Sequence, residues 1–192
     1  DTPQWGPVAL KDIEKGKSNS IPVTINKVRA MNALSTFSSE QSGHEAAYAV
    51  DNSSGTWWEP SPADSLPTLT IELSPATRFD VVQLFTIDGV RLMFNGGRRW
   101  GITSPSTTSF DPYQYKIDIS MDGKNFITAL DQSKNNISRN TIFEEIPPVK
   151  CRFVRLTLTN WPKTSPLGIL EFTIFGKPAD SLPAAVAIPV TD

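Results

Sequence analysis

The feature that most constrains this chain is a period-two alternation of apolar and polar residues, repeated in short segments. TLTIEL (68–73), DVVQLFTI (80–87), YQYKIDIS (113–120), FITAL (126–130), TIFEEI (141–146), CRFVRLTLT (151–159) and GILEFTIFG (168–176) all carry it, rich in β-branched and aromatic residues. SIPVTINKVRA (20–30) reads as a further strand. Successive side chains of a strand point to opposite faces, so each segment has one face to bury and one to leave in water. Turn chemistry separates the segments. SMDGKN (120–125) sets an Asp-Gly pair between two strands, a hairpin signal, and the two prolines of EEIPPVKC predict an end to one strand before the next begins. No stretch sustains a 3.6-residue period over a dozen positions. The pattern predicts an all-β sandwich of about eight short strands.

Composition agrees and excludes several function classes. The chain has 192 residues, of which 39% are hydrophobic and 20% charged, the make-up of an ordinary globular domain. Eighteen basic against twenty acidic side chains give a net charge of −2 without a dense Lys/Arg stripe, so nucleic acid is not an expected partner. No apolar run is long enough to cross a bilayer. The one candidate for membrane attachment, RLMFNGG (91–97), is short and lacks a basic collar, so no membrane insertion is expected. The single cysteine, Cys151, lies in a strand pattern and reads as a buried, inert thiol. The single histidine, His44, reads as structural and leaves little room for His-based catalysis or a zinc site. Asp80, Asp118, Glu144 and Glu145 fall at strand positions or ends with no motif pairing them, and neither a GxSxG elbow nor a phosphate loop is present. Catalysis by this chain is not expected.

Two regions stand outside the strand pattern. MFNGGRRWGITSPSTTSFDP (93–112) is a long connection of the kind that is functional or disordered. The expected organisation is a lead-in over 1–33 packing on the sandwich, a module over 34–177, and a Pro/Ala-rich linker to a further domain over 178–192.

The order of FSSEQSGHEAAYAVDNSSGTWW, TLTIEL, VVQLFTI, YKIDISMDGKNF, RFVRLTLTNW and ILEFTIFG resembles the discoidin, or coagulation factor 5/8 C-type, domains, and among them the bacterial family 32 carbohydrate-binding modules. The resemblance spans about residues 34–176. It implies an all-β, galactose-binding-like jelly-roll β-sandwich of about eight antiparallel strands that binds a ligand at one end and performs no chemistry. It also implies a structural calcium. Family members hold one with Ala-x-Asp followed by Thr-x-Trp, matched here by Ala49, Asp51, Thr56 and Trp58, and close the site with a glutamate, matched by Glu171. Tyr48 and Ser53 would add backbone or side-chain oxygens, and Asn52 replaces the family's glycine. The alternative for the same residues is a capped turn without metal, Asp51 bonding backbone amides. Trp58 is the family's core anchor in either case.

Sugars stack their C–H faces on aromatic rings while planar polar side chains bond their hydroxyls, so loop Trp and Arg residues are the candidates for recognition. Trp161, in LTNWPK, matches a loop where relatives place a stacking aromatic, or it fills a corner against Pro162. Arg98, Arg99 and Trp100, in GGRRWG, combine charge and a stacking plane, or form a solvated loop with the indole folded beneath. Arg91 lies near the position of a hydroxyl-binding arginine in relatives. Glu59 stands where galactose-binding members carry a histidine, which argues against galactose while leaving carbohydrate in general. The expectation is a non-catalytic carbohydrate-binding module of a secreted, periplasmic or surface bacterial protein, binding a polysaccharide or oligosaccharide beside a flanking catalytic domain. The rival is a structural or protein-interaction sandwich accessory to such a domain.

Overall fold

Alternating segments cannot bury their apolar faces alone, and here they do so by stacking two antiparallel sheets. The computed structural model describes residues 27–28, 34–73, 84–95, 112–163 and 166–179. Within them run β1 (Lys27–Val28), β2 (Leu34–Phe37), β3 (Thr68–Glu72), β4 (Phe85–Phe94), β5 (Gln114–Ser120), β6 (Ile127–Asp131), β7 (Thr141–Cys151), β8 (Phe153–Asn160) and β9 (Ile169–Pro178). One sheet has the order β1-β9-β4-β7 and the other β2-β3-β8-β5-β6. The inward residues follow the alternation: Leu69 and Ile71 from β3, Tyr115 and Ile117 from β5, and Leu156 and Leu158 from β8 meet Leu92, Phe94, Phe172 and Ile174 from the other layer. Cys151 is fully buried among them, and burial pushes its thiol up to about 12. The two layers are also tied by a polar bridge, the Tyr115 hydroxyl donating to Glu144 Oε1 at 2.7 Å.

Three strand expectations need correction. β4 extends to Phe94, well past the predicted end at 87, with Leu92 and Phe94 in the core, so RLMF is an interior strand and not a loop-tip spike. The prolines of EEIPPVKC do not end a strand: β7 continues through Pro147 and Pro148 to Cys151. It tolerates them because it is an edge strand and because the β4–β7 register jumps there, Ile87 facing Val149 and Gly89 facing Glu145. β2 and a short 3-10 helix, Ala46–Val50, were not anticipated. The Asp-Gly hairpin stands as read. Gly123 takes φ +72°, and Asp122 Oδ1 accepts the Lys124 and Asn125 amides.

The topology gives the sandwich two distinct poles. β8 ends, β9 begins and β4 ends at one, where Phe94 faces Ile169 and Asn95 N–H donates to the Gly168 carbonyl. At the other pole Phe85 faces Pro178, and Ala179 N–H donates to Leu84. Of the lead-in, β1 pairs with β9; the linker expected beyond Ala179 and the 96–111 stretch lie outside the described residues.

Candidate functional site

The run AVDNSSGTWW links the core to the first pole. Trp58 is fully buried, its Nε1 donating to the Ser39 carbonyl at 2.9 Å, and its backbone exchanges two hydrogen bonds with Ile169. This ladder contact seats the loop before Trp58 against the start of β9. Asp51 then organises the loop: Oδ1 accepts the Ser53 amide at 2.8 Å, and Oδ2 the Thr56 hydroxyl at 2.6 Å. Ser53 Oγ accepts the Gly55 amide, and Asn52 sits at φ +63°, the left-handed region that Asn tolerates. Glu171, only 5% exposed on β9, accepts the Asn52 amide at 3.0 Å.

Asp51, Ser53, Thr56 and Glu171 therefore do come together around one six-residue loop. The donors are all oxygens, the chemistry a hard cation such as Ca²⁺ requires, and backbone carbonyls can complete such a set. The residues fit a calcium ion. Among the described residues no group of three or more His, Cys, Asp or Glu side chains gathers, so anionic charge would come from Asp51 and Glu171 alone. Tyr48 contributes differently. It lies in the 3-10 helix with its amide on the Glu45 carbonyl, and hydrogen bonding to the Glu45 carboxylate, together with its charge, raises the phenol pKa. Only its backbone remains as an oxygen source for the loop.

Trp57 of the same run and Glu59, just after it, belong to the rim. Trp57 stacks on His44 with ring centroids 4.1 Å apart and donates its Nε1 to Glu59 Oε2 at 3.3 Å. Gln41 Nε2 donates to Glu59 Oε1 at 2.6 Å. The Glu59 backbone is clamped as well, its N–H on the His44 carbonyl and its carbonyl receiving the Gln41 N–H. A half-buried carboxylate is thus held in one orientation by two N–H donors, with lone pairs left over.

Glu59 and Gln41 face a cavity of about 410 Å³ between the β2–β3 and β8–β9 connections. Trp161 and Lys163 enter it from the β8–β9 side, and Pro60, Pro62, Pro166 and Leu167 form apolar wall. Two of the sequence candidates, Glu59 and Trp161, are therefore neighbours in space although a hundred residues separate them. Trp161 is half-buried against the core and carries the Lys163 Nζ 3.3 Å from its ring centroid. Burial lowers the Lys163 pKa. Arg91 is placed elsewhere. It lies mid-strand in β4, alternating with the core residues Leu92 and Val90, and its Nη2 donates to Thr173 Oγ1 at 3.1 Å; it does not line the cavity. Arg98, Arg99 and Trp100 lie outside the described residues, but the strand ends flanking that connection, Phe94 and Tyr113, stack at 3.7 Å at the cavity pole. Gln41 and Lys163 were missed in the sequence. Gln41 had only the Gly43 turn (φ +82°) beside it as a signal, and Lys163 only its place two residues after a candidate tryptophan.

Residues 98–172 match the F5/8 type C domain family. In fold the chain is similar to a selenomethionine-labelled mutant of chitosan-binding module 1 from a Paenibacillus sp. IK-5 chitosanase/glucanase (20% identity, TM-score 0.60, 80% of this chain and 100% of that one). It is also similar to chitosan-binding module 2 of that enzyme, solved in complex with chitotriose (20%, 0.59, 77% and 98%). A third likeness is the family 32 module CBM32-3 of a family 31 glycoside hydrolase from Clostridium perfringens (16%, 0.58, 79% and 95%). None of the curated proteins matches. The jelly-roll fold is that of the family 32 modules, as the motif order implied, and the family and modules matched are non-catalytic binding domains.

Proposed function

We propose that this chain is a non-catalytic carbohydrate-binding module that takes a glycan in the Glu59–Trp161 cavity. The observation that carries the reading is the convergence, at one pole, of an indole and a rigidly oriented carboxylate with an amide beside it. An indole offers a plane for a sugar's C–H face, and the Glu59 carboxylate with the Gln41 carbonyl, whose amide nitrogen is engaged by Glu59 and the Pro60 carbonyl, offers acceptors to vicinal hydroxyls. The volume suits a short stretch of oligosaccharide. Arg98, Arg99 and Trp100 would extend the surface, since the connection that holds them springs from the same pole. Arg91 is assigned no contact with the glycan.

The similarity to modules of glycoside hydrolases supports a place beside a catalytic domain in a secreted or surface bacterial protein. Affinities on the order of 10⁻³–10⁻⁵ M suffice there, because tethering turns weak contacts into retention on a polymer. Calcium, held by Asp51, Thr56, Glu171 and carbonyls of the Tyr48–Ser53 stretch, would fix the loop that leads into Trp57 and Glu59. Affinity electrophoresis of the chain and its Trp161→Ala variant across chitosan, plant and host polysaccharides tests the proposal. Retardation by at least one polymer, abolished in the variant, is expected. A folded sample retarded by none would leave the structural-domain reading in its place.

A further inference from the structure

Lys163 occupies the place where the proposed ligand would sit. Trp161 is half-buried against the core and lines the cavity, and Lys163 lines it beside the indole with its ammonium 3.3 Å from the ring centroid. A cation at that distance is held by the negative face of the ring. It also leaves no room for a pyranose face to reach van der Waals contact with the indole. A ligand must therefore move it. Among the described residues no carboxylate lies within ion-pair distance of Lys163, and both Glu59 oxygens already accept N–H donors. The ammonium is partly desolvated, which lowers its pKa and makes an incoming anion a favourable replacement for the ring.

We propose that Lys163 is a specificity-determining residue of this cavity: it covers the Trp161 face against neutral sugars and favours sugars that bear a carboxylate. The inference rests on the reading of the cavity as a glycan site. A neutral sugar displaces the ammonium and returns nothing to it, so its affinity carries the loss of the cation–π contact. A uronic acid displaces the same ammonium and then accepts its hydrogen bonds, so the loss is offset by a charge-assisted pair. The long, flexible lysine stem permits the swing without backbone change.

The test is calorimetric titration of the full chain with trigalacturonate, its methyl ester and the neutral N-acetylated chitotriose, at 20 and 500 mM NaCl, on wild type, Lys163→Ala, Lys163→Met and Trp161→Ala. Wild type is expected to bind the acid about threefold or more tightly than the ester at low salt, with the gap closing at high salt, as for an exposed pair. Both Lys163 variants are expected to lose that discrimination and to bind the neutral ligands about two- to fivefold more tightly, the cation–π contribution being gone. An acid-to-ester ratio that survives in both variants, neutral affinities unchanged by them, or a wild type that takes N-acetylated chitotriose but no uronate overturns the proposal. Loss of all binding in Trp161→Ala, alongside unaltered Lys163 variants, removes this proposal and keeps the glycan site. Undiminished binding in Trp161→Ala, or no binding of any of the three by wild type, removes both.

Discussion

Glu171→Gln is the perturbation that separates a metal-held loop from a self-sufficient turn. Glu171 accepts a charge-assisted bond from the Asn52 amide at a position only 5% exposed. Glutamine keeps the shape and a carbonyl acceptor, so without metal the loss is the difference between a charged and a neutral acceptor, about 1 kcal/mol. With metal the substitution also removes one of the two carboxylates in the set. Calcium at a hundred times its dissociation constant stabilises the folded state by about 2.7 kcal/mol. For a chain of this size that is a rise in melting temperature of roughly 5–10 °C. Differential scanning calorimetry in EDTA and in 5 mM CaCl₂ is the assay. Wild type is expected to gain roughly 5–10 °C on adding calcium and Glu171→Gln less than about 2 °C, while in EDTA the two differ by about 2–4 °C. A wild type whose melting point is the same in both buffers refutes the metal reasoning and leaves Asp51 as the cap of a hydrogen-bonded turn.

Further expectations follow from other parts of the fold. Gly176→Ala sets a Cβ 2.3 Å from the Thr86 carbonyl between the central strands β4 and β9, so urea unfolding should show a loss of about 1–3 kcal/mol; a change under about 0.5 would mean the strands separate freely. Burial opposes ionisation of Asp64, but the Ser38 and Ser39 hydroxyls and the Leu66 amide outweigh it and hold its pKa below the usual carboxylate range. Its stabilisation is therefore complete above the unfolded-state pKa near 3.9 and is lost as pH falls below that through the folded value, so Asp64→Asn should flatten the melting curve against pH below roughly 4. Cys151, at about 12 and fully buried, should resist iodoacetamide at pH 8 until the chain is unfolded by urea; rapid labelling of the native protein would contradict its placement in the core.

Most of the sandwich could be read from the sequence because its signal is local. β3, β5, β6, β8 and β9 carry their alternation within a single segment, and their observed bounds lie within a residue or two of the predicted ones. The misreadings share a different origin. Whether Pro147 and Pro148 break β7 depends on its edge position and on a register jump against β4, and neither is visible in EEIPPVKC itself. β4 runs on past Ile87 through Asp88 and Gly89, which form the other half of that irregularity, and this too depends on the partner strand. The hydrogen bonds of Asp51 to Ser53 and Thr56 join residues within a few positions of one another, so that turn is a local feature, whereas Glu171 reaches it from a distant strand. The cavity was only half legible. Glu59 and Trp161 stand out by residue type, but Gln41 and Lys163 gain their roles from what lies across two loops, and Arg91 looked like a rim residue until its strand was extended through it.

The direction of β9 has a consequence for any polymer the cavity grips. The strand begins beside the Trp58 ladder and runs ten residues to Pro178, roughly 30 Å toward the rear of the sandwich. A hydrolase joined after Ala179 would hang behind the module while the mouth faces forward. The chain segment being anchored and the one being cut would then be different stretches of the same strand, which lets the anchor hold on while cleavage proceeds elsewhere.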